Sequence, residues 1–71
     1  MKGSELVPKV RAYARKHGLR FEYEPRRRKG SHGPLLLGNR STTIKDLRKE
    51  IGPGLLGDML GQLGITGNDL S

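Results

Sequence analysis

The sequence predicts a small α+β domain, with a three-stranded antiparallel sheet lying between two helices in chain order. Three observations predict it. Apolar residues recur at helical spacing near both ends of the chain, they alternate with polar residues in the middle, and a Gly-Asn pair punctuates the middle as a hairpin turn. A chain of 71 residues makes one domain, 1–71. At this size a domain hides only about 60% of the surface its unfolded chain exposes, so the core is expected to be thin. Only 32% of the residues are apolar, and the aromatic side chains are Tyr13, Phe21 and Tyr23. The expected stability is about 3–5 kcal/mol.

The first helix follows from Leu6, Val10, Tyr13, Ala14 and His17, which share a face, with Lys9, Arg11, Arg15 and Lys16 mostly on others. Ser4 is the expected N-cap and Gly18 the stop, giving a helix over about 5–17. Pro8 falls in its first turn, where few intrahelical N–H bonds are lost, although the ring can move the start to Val7. Strict alternation in Leu19-Arg20-Phe21-Glu22-Tyr23-Glu24 predicts a half-buried strand over about 19–25, ended by Pro25. A second strand is expected over about 31–37 and a third over about 40–44, joined by the Gly38-Asn39 turn. Gly33-Pro34 could form a bulge in the second strand.

Lys45–Ile51 fits either a charged loop or one helical turn. Gly52-Pro53 then opens a helix over about 53–63, with proline at its first position and Leu55, Leu56, Met59, Leu60 and Leu63 as its apolar stripe. Gly64 ends it and Ile65 packs back over the last turn. Gly57 and Gly61 share a face and permit close backbone approach, to the sheet in preference to a partner. Residues 66–71 read as a polar, frayed tail. Both helices hide their stripes most simply on one sheet face.

Charge is distributed unevenly. Fourteen Lys and Arg against seven Asp and Glu give +7. Residues 9–32 hold nine of the cations, at positions 9, 11, 15, 16, 20, 26, 27, 28 and 29, with two acids. Residues 53–71 hold no cation. One end of the protein is therefore an anion-binding surface, whose simplest reading is a solvated face and whose functional reading is a nucleic-acid surface. The lack of cysteine excludes disulfides, thiolate catalysis and Cys-based zinc sites. Two histidines fifteen positions apart make no metal site by themselves, so no cofactor is expected. No apolar run reaches the roughly 18 residues of a membrane span, and the start has no signal-peptide core, so a cytoplasmic protein is expected.

The densest chemistry lies in Arg26-Arg27-Arg28-Lys29-Gly30-Ser31-His32. Cations attract phosphate whatever the base sequence, and imidazole exchanges a proton near neutral pH. RNA cleavage by transesterification needs a base for the 2′-OH, an acid for the 5′-oxygen and cations for the phosphoryl oxygens. Arg28 and Lys29 disfavour imidazolium at His32, as a base requires. Arg26, Arg27, Arg28 and Lys29 are candidate phosphate contacts, and Ser31, Arg40, Thr42 and Thr43 candidate backbone contacts. His17, at a helix end, reads as structural. Gly33-Pro34-Leu35-Leu36-Leu37-Gly38 has the spacing of the first part of a nucleotide-binding P-loop, but Asn39-Arg40 follows where Lys and Ser or Thr are required.

The order of elements, Lys2-Gly3-Ser4-Glu5-Leu6, Lys29-Gly30-Ser31-His32, Arg40-Ser41-Thr42-Thr43-Ile44, and Gly52-Pro53-Gly54-Leu55-Leu56 through Gln62-Leu63-Gly64-Ile65 together resemble a HicA-type toxin over roughly residues 2–65. The resemblance implies a double-stranded-RNA-binding-domain-like fold, metal-independent endoribonuclease cleavage of mRNA, and a HicB-type antitoxin as partner. The family's catalytic histidine lies in a Gly-Ser-His motif that falls on Gly30, Ser31 and His32. The alternatives are a binding module that grips structured RNA without cleaving it, and a basic accessory or assembly protein.

Overall fold

The computed structural model describes residues 1–24 and 33–70. The chain runs α1 (Gly3–His17), β1 (Phe21–Tyr23), β2 (Gly33–Leu37), β3 (Arg40–Ile44) and α2 (Pro53–Leu63), followed by a 3₁₀ turn at Gly67–Leu70. The three strands form one antiparallel sheet in the order β1-β2-β3. The class is α+β, as expected, and the bounds of β3 and α2 match those read from the sequence.

Helix α1 starts two residues earlier than expected, and Lys2 precedes it in place of Ser4. The cause is a long-range contact. Ser4 N–H, one of the donors a helix start leaves without an intrahelical partner, donates to Leu47 O at 2.9 Å. Lys2 N–H donates to Glu5 Oε1 at 3.0 Å. Gly3 is buried so tightly against the 46–47 backbone that a Cβ there would lie 3.0 Å from Asp46 O and 3.1 Å from Leu47 Cα. Ile51 N–H donates to Met1 O at 2.8 Å, and Lys2 bridges to Glu50. The 45–51 segment is thus a loop that clasps the helix start. Pro8 sits in the second turn, exposed, and costs one intrahelical bond.

Both long helices end in the same way. Gly18 and Gly64 adopt left-handed φ of 64° and 74°. Leu19 N–H donates to Ala14 O and Ile65 N–H to Leu60 O, with Gly18 N–H reaching Arg15 O and Gly64 N–H reaching Gly61 O. This paired closure satisfies carbonyls that a helix end otherwise leaves free. It also commits Leu19 to the cap, so β1 starts at Phe21 and Leu19 is exposed.

The other end of β1 is set by Pro34. Gly38 N–H donates to Arg20 O at 2.8 Å, so Gly38, and by alternation Leu36 and Pro34, turn their backbone groups toward β1. Proline has no N–H to offer Glu24, and the ladder stops at Tyr23, short of residue 25. Toward β3, Pro34 occupies a position that needs no hydrogen bond. Its register with Thr43 is one-to-one, as is that of Gly33 with Ile44, so the bulge that Gly33-Pro34 could have formed is not seen in this ladder.

Alternation divides the sheet. Phe21, Tyr23, Leu35, Leu37, Thr42 and Ile44 lie on one face, and Glu22, Pro34, Leu36, Ser41 and Thr43 on the other. Leu35, Leu37 and Ile44 join Leu6, Val10 and Ala14 of α1, Met59, Leu60 and Leu63 of α2, and Ile65 in one core. Burial pushes the Tyr23 phenol above its ordinary pKa. Gly57 and Gly61, expected to let α2 approach the sheet, do the opposite: both are exposed, and a Cβ at either would meet nothing within 4 Å. The expected frayed tail is also corrected. Asp69 Oδ2 accepts from Thr66 N–H at 2.8 Å and from Thr66 Oγ1 at 3.2 Å, while Asp69 N–H donates back to Thr66 O. Leu70 then packs half-buried against the core, and Ser71 lies outside the described residues.

Candidate nucleic-acid interface

Helix α1 buries a narrow stripe and leaves a broad charged surface. Lys9, Arg11, Arg15 and Lys16 are all exposed. None has an ion pair among the described residues, where the side-chain carboxylates of Glu22 and Asp46 pair with Arg20 and Arg48 and Glu50 pairs with the Met1 amino group. Placed on the last turn, Arg15 and Lys16 also complement the negative end of the helix. His17 stacks on Tyr13 with ring centroids 4.2 Å apart and planes tilted by 36°. It is exposed, a surface ring held by its neighbour.

Arg26, Arg27, Arg28, Lys29, Gly30, Ser31 and His32 lie outside the described residues. Their flanking positions are defined. Glu24 follows β1 and Gly33 opens β2, which pairs with Ile44 at the far end of β3. The catalytic candidate is therefore covalently anchored at the sheet end that holds Gly33 and Ile44.

The remaining candidates divide by face. Thr43 is exposed on the outer face, opposite Pro34, one position from that sheet end. Ser41 shares the face with it, a position that residue type alone does not single out although alternation from Thr43 points to it. Thr42 turns the other way. It is 5% exposed, and its hydroxyl donates to Gln62 Oε1 of α2 at 2.5 Å. This corrects its assignment as a backbone contact: the hydroxyl is satisfied inside the fold, and its parity with buried Ile44 was the available signal. Arg40 is exposed but occupies the opposite end of β3, about 13 Å along the strand from Ile44 at the usual rise of an extended chain. Its side chain lies over the end of α2, where a Cβ on Gly64 would fall 2.8 Å from Arg40 Nε. There it meets the negative end of the helix. The structure thus brings Thr43 close to the anchor of His32 and holds Arg40 and Thr42 away from it.

A concave feature lies beside the same sheet end. Ile44, Ile51, Leu55 and Met59 line a groove of about 160 Å³, rimmed by Thr43, Lys45, Asp46, Lys49 and Glu50.

No family model, no curated protein and no solved structure matches the chain. Among the described residues, no helix is long and apolar enough to cross a membrane.

Proposed function

We propose that this protein is a HicA-type toxin, an endoribonuclease that cleaves mRNA with His32 as general base and is held in check by a HicB-type antitoxin. The observation that carries the proposal is the uninterrupted run of four cations into Gly30-Ser31-His32. It supplies phosphate affinity and a proton acceptor within seven residues. Support comes from the α1 cations, which have no ion pair among the described residues, and from exposed Thr43 and Ser41 on the outer sheet face, at whose end Gly33, the residue after His32, pairs with Ile44. In this reading the fold is double-stranded-RNA-binding-domain-like, with both helices on one sheet face, and the protein is cytoplasmic.

Lys29 and the preceding arginines hold the scissile phosphate, and Ser31 and Thr43 position the adjacent backbone. Neutral His32 removes the 2′-OH proton as the 2′-oxygen attacks phosphorus, the P–O5′ bond breaks, and the departing 5′-oxygen takes a proton from solvent water. A 2′,3′-cyclic phosphate is the product. The test is cleavage of a defined RNA beside the same RNA with one 2′-deoxy residue at the scissile position. Cleavage of the first in EDTA, with a cyclic phosphate end, and none of the second at that position is expected. Cleavage of both, or loss of activity in EDTA, contradicts the mechanism.

The α1 cations by themselves favour a second reading, a module that binds structured RNA and cleaves nothing. Tight, salt-sensitive RNA binding without any cleaved product selects it.

A further inference from the structure

We propose that the groove between the end of β3, the 45–51 loop and the start of α2 is a docking site for an acidic segment of a partner protein, one that inserts a single large apolar side chain. The floor is aliphatic: Ile44 and Met59 belong to the core, Ile51 is half-buried, and Leu55 remains 47% exposed. An exposed leucine at the mouth of an apolar depression favours an apolar occupant, since covering it removes more hydrocarbon from water.

The rim says what should flank that occupant. Of its four charged residues, the two acids are already engaged. Asp46 Oδ1 accepts Arg48 N–H at 2.8 Å, and Glu50 pairs with the Met1 amino group. Lys45 and Lys49 are exposed and have no partner among the described residues. The start of α2 adds to this asymmetry. Gly52 offers no side-chain cap, the first turn holds no acid, and Leu56 N–H to Gly52 O, at 2.8 Å, is the first bond of the helix. The N–H groups of Gly54 and Leu55 therefore carry the positive end of the helix dipole beside the groove. Free lysines and a bare helix start around an aliphatic floor complement carboxylates around an apolar anchor.

Nucleic acid fits less well. Phosphates would use the lysines, but no aromatic side chain lines the groove to stack a base, and the aliphatic floor would go unused. A second copy is disfavoured by the repulsion between two chains of +7. The docking argument rests on Ile44, Lys45, Lys49, Ile51, Leu55 and Met59 and on no residue assigned to RNA cleavage.

The test uses the full ¹⁵N-labelled chain and a twelve-residue peptide with one central leucine flanked on each side by glutamates. Controls are the same peptide with alanine at the centre, the same peptide with lysine flanks, and a twelve-nucleotide oligouridine. The glutamate–leucine peptide should shift the amides of Lys45, Ile51, Leu55 and Met59. Its affinity should fall at least tenfold with Leu55→Glu, and again with the pair Lys45→Glu and Lys49→Glu. That charge-reversed pair should now favour the lysine-flanked peptide, a gain that misfolding cannot produce. Gly57→Ala, on exposed α2 surface outside the groove, should leave binding unchanged. Equal binding of the alanine-centred peptide, shifts of these amides by oligouridine alone, concentration-dependent shifts without peptide, or no shift at all would each overturn the proposal.

Discussion

The two helices solve the same packing problem with opposite surfaces. Each buries a short stripe in the shared core, Leu6, Val10 and Ala14 from α1 and Met59, Leu60 and Leu63 from α2, and each closes on a left-handed glycine. Outside the core they diverge. The solvent face of α1 carries Lys9, Arg11, Arg15 and Lys16, good helix formers that also gather positive charge. The solvent face of α2 carries Asp58 and the glycines Gly54, Gly57 and Gly61, which weaken the helix and where an added Cβ would meet nothing within 4 Å. The cationic surface is therefore compatible with stability, whereas the bare one is kept at its expense.

The largest difference is expected between the buried stripe of α1 and the exposed side of α2. Leu6 is fully buried, and Leu6→Ala should cost about 2–5 kcal/mol. That is comparable to the whole expected stability, so the variant should be largely unfolded by circular dichroism. Leu55→Ala, at 47% exposure, should keep its melting transition within a few degrees of wild type. Equal losses would mean that the exposed side of α2 is structural after all.

Glycine sharpens the contrast, because one chemical change should act with opposite signs. Gly3→Ala drives a methyl group into the 46–47 backbone and should destabilise by about 1–3 kcal/mol in urea titrations. Gly57→Ala and Gly61→Ala meet open space and should each stabilise by about 0.5–1 kcal/mol. A destabilising Gly57→Ala would show that α2 makes a close contact in solution.

The smallest effect on stability, within about 0.5 kcal/mol, is expected for Lys9→Glu and Arg11→Glu on exposed α1 surface. The same pair should flatten the dependence of log RNA affinity on log salt by roughly 0.7–0.9 for each phosphate that is no longer neutralised. An unchanged slope would remove α1 from the RNA surface.

What could be read in the sequence was local. Pro53 and Gly64 bound α2, Gly38-Asn39 makes the hairpin, and the stripe Leu6-Val10-Ala14 is buried, all because short-range geometry decides them. What could not be read depends on distant partners. The start of α1 is set by the Leu47 carbonyl, the end of β1 at Tyr23 by a proline eleven residues on, and the order of the tail by Leu70 reaching the core. At the candidate site, alternation alone would have separated Thr43 from Thr42, since Ile44 marks the inner face. Residue type suggested both, and only the Gln62 contact shows why one is satisfied inside. Arg40 drew attention as a cation, but its place over Gly64 required the packing of α2 against β3.

The proposed function rests on His32 as the general base for RNA cleavage. It is tested most directly by RNA cleavage with His32→Ala beside wild type, at protein concentrations that saturate the RNA with either. The predicted result is a rate lower by about 10²–10⁴, with RNA affinity and the melting transition unchanged. Full cleavage by His32→Ala would contradict it.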